Sequence, residues 1–149
     1  MRVKKIEKIL APTDLSDLSA LGVNYALELA RGWGAEVTVY HLTDAAELAN
    51  YKAFSLQALI DKHKHSVEQF LSARFSDLLP LVELRKKVEI GAPAEMILAE
   101  AEKETSDLIV MSTHGRTGVA HLLMGSVTEQ VVRNAICPVF SVHPPKAKH

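Results

Sequence analysis

Gly115, Gly118 and Gly125 punctuate the stretch between a short apolar run, Leu108 to Met111, and the tetrapeptide Ser126-Val127-Thr128-Glu129. An apolar run that gives way to Ser112-Thr113-His114 is how a buried parallel strand meets a loop. Ser-x-x-Glu has the spacing of a capping box, with Ser126 as the expected N-cap. A helix opening there presents unpaired amide donors and the positive end of its dipole. Strand, glycine-bearing loop and helix N-terminus together make an anion site, and phosphate is the anion such places most often hold. The plainer alternative stays open: the glycines serve a turn and the capping box serves only its helix.

Other side chains could join that chemistry. Asp14 follows the first apolar run, where a carboxylate can accept hydrogen bonds from ribose hydroxyls or a purine amine, hold a metal ion, or simply cap a helix. Arg116 carries a permanent charge on a forked donor suited to a phosphate tail. His114 and His121 flank the loop as phosphate-binding or acid–base candidates, or as polar surface groups. His63 and His65 lie among Lys62 and Lys64 and are two residues apart, off a shared helical face, so they read as a solvated helix surface rather than a metal pair. No Cys/His cluster has zinc spacing, no nucleophile-elbow motif marks a catalytic triad, and the P-loop and dinucleotide glycine fingerprints are missing. No catalytic residue is therefore assigned.

The elements that must position these residues follow from periodicity. Ile9 to Pro12 reads as a first strand, followed by N-cap residues and a helix from about Ser16 to Arg31 closed by Gly32. Val37 to Leu42 is a second strand. Residues 44–79 turn helical, as one long helix after a looser entry at 45–54, and Pro80 stops it. Val82 to Ile90 alternates apolar with charged residues, as a strand near a sheet edge does. Pro93 opens a helix that runs to about Glu104, Leu108 to Met111 is the fourth strand, Ser126 to Asn134 the last helix, and Cys137 to Val142 the final strand.

The sum, β-α-β-α-β-α-β-α-β, predicts an α/β fold: one doubly wound, five-stranded parallel sheet in the order 3-2-1-4-5 with helices on both faces. That order opens a crevice between the carboxyl ends of strands one and four. Pro12, Thr13 and Asp14 reach it from one loop; Ser112, Gly115, Arg116 and Gly118 reach it from the other.

Composition is consistent with this reading. With 149 residues, 48% hydrophobic and 23% charged, residues 1–149 are expected to form one soluble domain, with a core over 6–143 and a flexible tail over 144–149. A net charge of −1 gives no global electrostatic case for nucleic acid. The lone Cys137 cannot pair internally and reads as a buried structural thiol. With no signal-peptide pattern and no apolar run near ~18 residues, no membrane insertion is expected and the default location is the cytoplasm.

From Ile9 to Val142 the chain resembles the universal stress protein family, whose nucleotide-binding branch carries Gly-x2-Gly-x9-Gly-Ser/Thr. Gly115, the nine residues Arg116 to Met124, and Gly125-Ser126 fit the second half of that pattern, while Ser112 stands where it has its first glycine. The resemblance implies that Asp14 and Leu42 contact adenosine and that Met111 and Ser112 lie beside the ribose. It places Gly115, Gly125, Ser126, Val127 and Thr128 around the phosphates, largely through backbone amides. The implied ligand is ATP, or AMP or ADP, with Mg or Mn as a companion ion. Homodimers through the last strand, Val139, Phe140, Ser141 and Val142, are implied as well. The expected role is a nucleotide-responsive regulatory module in stress response. The alternatives are a vestigial site on a dimer that docks on partners, or weak ATP hydrolysis.

Overall fold

Ile9, Ala11, Val37, Val39, Leu108 and Val110 turn to one side of their strands, and Leu10, Tyr40, Ile109 and Met111 to the other, all buried. A strand apolar on both faces needs a cover on both, and the chain supplies it. The computed structural model describes residues 2–50, 55–114 and 124–145. Among them the order is β1 (Lys8–Thr13), α1 (Asp17–Trp33), β2 (Glu36–Thr43), α2 (Ala45–Asn50), α3 (Leu56–Phe75), a 3-10 turn (Leu79–Leu81), β3 (Glu83–Ile90), α4 (Pro93–Lys103), β4 (Leu108–Ser112), α5 (Ser126–Asn134) and β5 (Val139–Val142). The strands form a five-stranded parallel sheet in the order β3-β2-β1-β4-β5, as the alternation predicts.

One layer of core lies under α1 and α3, where Val23, Ala26, Leu27, Val67, Phe70 and Leu71 meet the sheet. The second is smaller: Ile97 and Ala101 of α4 and Val131 of α5 close over Leu10, Tyr40, Ile109 and Met111. β3 lies at an edge, as its half-wet pattern predicts.

Several boundaries differ from expectation. The cap of α1 is Gly34, at φ 68°, with its amide bonded to the Ala30 carbonyl, rather than Gly32. The left-handed turn falls two residues later because the helix continues through Trp33. The one long helix expected after a looser entry is α3, which Ser55 caps by accepting from the Ala58 amide, while the entry itself holds a short helix, α2. α3 ends at Phe75, ahead of the Pro80 turn. β5 begins at Val139, after Cys137-Pro138, and Cys137 is partly exposed rather than buried.

Candidate functional site

Where β1 and β4 part at their carboxyl ends, a cavity of about 290 Å³ opens. Its walls include Pro12, Thr13, Asp14, Leu42, Met111 and Ser112, and, from the start of α5, Gly125, Ser126, Val127 and Thr128. Ten of the thirteen residues nominated from sequence therefore share one crevice. The other three, Gly115, Arg116 and Gly118, lie outside the described residues, as does His121.

The β1–α1 loop is fixed by its own side chains. Thr13 Oγ1 accepts from the Leu15 amide at 3.0 Å and pairs with Ser19 Oγ at 2.7 Å, while Asp14 Oδ1 accepts from the Ser16 amide at 3.0 Å. These bonds hold Leu15 at φ 67°, a left-handed conformation that a leucine adopts only under constraint. Ser16 caps α1 by accepting from the Ser19 amide. That leaves the Asp14 carboxylate on the crevice wall rather than at the helix cap.

The opposite wall corrects the capping box. Gly125, not Ser126, is the N-cap of α5, and no side chain of the described residues caps the helix. Ser126 is already helical, so its hydroxyl sits one position too late to reach back to the amide of Glu129. The Glu129 amide bonds the Gly125 carbonyl instead, at 2.9 Å. The first turn of α5 thus brings its dipole and amides to the cavity with no capping side chain among the described residues, a stronger anion site than a capped helix would give. Gly125 is held close: its amide donates to the Thr113 carbonyl at 2.6 Å, and a Cβ there would lie 3.1 Å from the same oxygen.

Ser112 turns its hydroxyl toward α1. Its Oγ donates to the Leu18 carbonyl at 2.6 Å and accepts from the Gly22 amide at 3.0 Å, joining that rung of the helix. Thr128 Oγ1 donates to the Ser112 carbonyl at 2.9 Å, tying the start of α5 to the end of β4.

Six further residues line the cavity: Ser19, Tyr40, Pro93, Ile97, Thr113 and His114. His114 is a candidate already read from the sequence, and two of the others had a readable signal. Tyr40 lies two before Leu42 on one face of a strand, and Ile97 lies four after Pro93 on one face of a helix. The Tyr40 hydroxyl donates to Glu89 Oε2 at 3.1 Å, and burial, then the Glu89 charge, pushes its phenol above the usual range. His114 Nδ1 pairs with Thr113 Oγ1 at 3.1 Å, while its Nε2 is buried with no hydrogen-bond partner among the described residues. Among the described residues the cavity wall carries no Lys or Arg, and no group of His, Cys, Asp and Glu has the form of a metal site.

His65 is exposed, as expected. His63 is not: its side chain is 14% exposed and hydrogen-bonded through both ring nitrogens, to His41 at 3.0 Å and Glu47 at 3.0 Å. The break between α2 and α3 brings Glu47 and His63 together, which a single continuous helix could not do.

With this geometry in hand, the model of the universal stress protein family matches residues 5–143. Universal stress protein MJ0531 of Methanocaldococcus jannaschii is 34% identical over 142 residues, spanning 94% of this chain and 84% of that protein. Universal stress protein MJ0577 of the same organism is 30% identical over 152 residues, 91% of this chain and 94% of its own. The solved structure of MJ0577 superposes at a TM-score of 0.75 over 97% of this chain and all 100% of its own, with 26% identity in that alignment. A universal stress protein from Archaeoglobus fulgidus, solved in complex with dAMP, shares the fold at a TM-score of 0.61 and 19% identity, covering 94% and 98% of the two chains.

Proposed function

The chain belongs to the universal stress protein family, and from that premise we propose that its crevice binds an adenine nucleotide, ATP or its mono- or diphosphate. One observation carries the reading: the uncapped first turn of α5 lines the cavity whose other wall holds Asp14. A nucleotide has the matching polarity, with phosphate for the amides of Ser126, Val127 and Thr128 and ribose hydroxyls for the carboxylate. Leu42, Met111, Pro93 and Ile97 supply apolar surface for a base. The Nε2 of His114, without a hydrogen-bond partner among the described residues, is in this reading a donor to the phosphates when Nδ1 accepts from the Thr113 hydroxyl. The dAMP complex of the A. fulgidus relative supports the choice of ligand class. Magnesium or manganese enters, in this reading, with the phosphates rather than on a protein cage.

Calorimetric titration with ATP, with and without magnesium, tests it. Micromolar binding is expected, and no heat at millimolar ATP would overturn it. Gly125→Val brings a branched side chain against the Thr113 carbonyl, whose oxygen lies only 3.1 Å from where the first carbon of any side chain would stand. The change should weaken binding by at least about tenfold, roughly the loss of one charge-assisted hydrogen bond, while circular dichroism still reports an α/β fold.

We also propose that two copies pair through β5. The strand ends the sheet, and its Phe140, 41% exposed, stacks on Tyr25, 46% exposed, at 5.7 Å between ring centroids. An aromatic pair on an open edge wants cover. Phe140→Asp should shift sedimentation from dimer to monomer; an unchanged sedimentation coefficient would remove β5 from the interface.

A further inference from the structure

His41, His63 and Glu47 form a chain of hydrogen bonds that ends on the main chain of the crevice. His41, 4% exposed on β2, places Nδ1 2.9 Å from the Thr13 carbonyl. Its Nε2 lies 3.0 Å from His63 Nδ1 on α3, and His63 Nε2 lies 3.0 Å from Glu47 Oε2 on α2. Thr43 Oγ1 donates to the same carboxylate oxygen at 2.6 Å, and Lys62 Nζ approaches the other at 3.4 Å.

The protons can be counted along this chain. A carbonyl only accepts, so His41 Nδ1 must carry hydrogen. The Thr43 hydroxyl, against the opposing effect of burial, holds the Glu47 carboxyl below its usual range, so it is ionised near neutrality and only accepts. His63 Nε2 must therefore carry hydrogen too. The two inner nitrogens, 3.0 Å apart, need one more proton between them, because two lone pairs at that distance repel. Three protons on four ring nitrogens make one positive charge spread over two rings, balanced by Glu47.

We propose that the His41–His63 pair holds this single shared proton as a unit, and that the protonated pair positions the Thr13–Asp14 segment at the mouth of the crevice. Losing the proton leaves one of the three hydrogen bonds unmakeable. The pair must then part, or His41 must release the Thr13 carbonyl, next to the carboxylate on the crevice wall. Among the described residues the charges bearing on the pair are Glu47 from α2 and Lys62 from α3. From β1 comes only a carbonyl, from β3 the apolar Val88 in register with His41, and from α1 the Ser19 hydroxyl bonded to Thr13. His41 and His63 are positioning residues, since neither lines the cavity. Only the last consequence, a proton-linked nucleotide affinity, rests on the nucleotide reading.

Nitrogen-15 spectra of the histidine rings in the full-length protein test the pair, from about pH 5 to about pH 9, the range in which histidine charge changes. The outer nitrogens should stay protonated while both rings lose charge in one common step. The Asp14 and Leu15 amide resonances should move on that same step, and Glu47→Gln, which keeps shape but removes the counter-charge, should move it to lower pH. Two neutral rings throughout, two independent steps, or amides that ignore the step would overturn the proposal. Calorimetry then reads the link: ATP affinity should fall roughly fivefold or more across the step, the low end of ordinary coupling, and His63→Ala should lose that component while titration of the phosphate itself remains in both proteins. The same profile in both overturns the coupling. No ATP binding at any pH defeats the nucleotide reading alone, because the ring and amide spectra still decide the pair.

Discussion

Ser112 shows how little a motif letter says without a direction for its side chain. The family pattern has glycine there, and the sequence alone makes serine look like an obstruction to the ribose. Its hydroxyl instead uses both of its bonding capacities on α1, at Leu18 and Gly22. Gly22 is what lets the helix come so close: a Cβ on it would lie 2.8 Å from the Ser112 amide nitrogen and 2.9 Å from the Met111 carbonyl carbon. Ser112→Gly should therefore leave ATP affinity nearly unchanged and cost about 1 kcal/mol of stability, the usual worth of an intramolecular hydrogen bond, read by urea denaturation. A large gain in affinity would mean that the serine does obstruct the site.

At the scale of elements, the start of α5 matters most. Ser-x-x-Glu suggested a capped helix, yet the backbone at Gly125, φ −68° and ψ 160°, makes the glycine the cap. Spacing cannot separate the two, because both choices put a small polar-compatible residue before an amphipathic helix. The choice is made by tertiary bonds invisible in one segment, from Gly125 to Thr113 and from Thr128 to Ser112. Ser126→Asp tests the consequence by placing a carboxylate in the first turn. It should raise helix stability by about 0.3–1 kcal/mol through the dipole, seen as a higher melting temperature, and at the same time weaken ATP binding. Stability and affinity moving together would contradict an anion site at this terminus. The start of α3 was legible, since the looser entry ends just ahead of Ser55, its N-cap, but the short helix α2 inside that entry was not.

The sheet was readable at the scale of the whole molecule because its signal is redundant. Five apolar runs alternate with amphipathic helices, and the parallel crossover rules leave few topologies for such a string. Order 3-2-1-4-5 then located the crevice before any side chain was placed. What the string could not reveal was the long-range polar wiring, such as His41 to His63 or Asp107 to the N-terminus. Asp107, just before β4, accepts from the amides of Glu7 and Lys8 at 3.0 Å each and meets Lys4 at 2.7 Å. Burial works against its charge, but Lys4 and the two amides outweigh it and hold the carboxyl below its ordinary value of 3.8. A depressed carboxyl contributes stability that is complete above that ordinary value and is lost as pH falls through the folded one. Asp107→Asn should then cost about 1–3 kcal/mol near neutrality, the range for a buried acceptor that loses charge, and flatten the acid limb of a pH–stability curve measured by thermal melting.

That clasp also bears on the order of events during synthesis. β1 is the central strand, but its second neighbour, β4, lies about a hundred residues further along, as the Glu7–Asp107 separation of 100 records. Until the ribosome has released Asp107 and β4, β1 keeps one unpaired edge, although β2 and β3 can already have zipped onto the other. A nascent chain halted after β3 is thus a three-stranded sheet with a bare hydrophobic rim, the kind of surface to which chaperones bind and along which partly made chains aggregate. The residue that leads into the missing neighbour of β1 is also the one that fastens the start of β1.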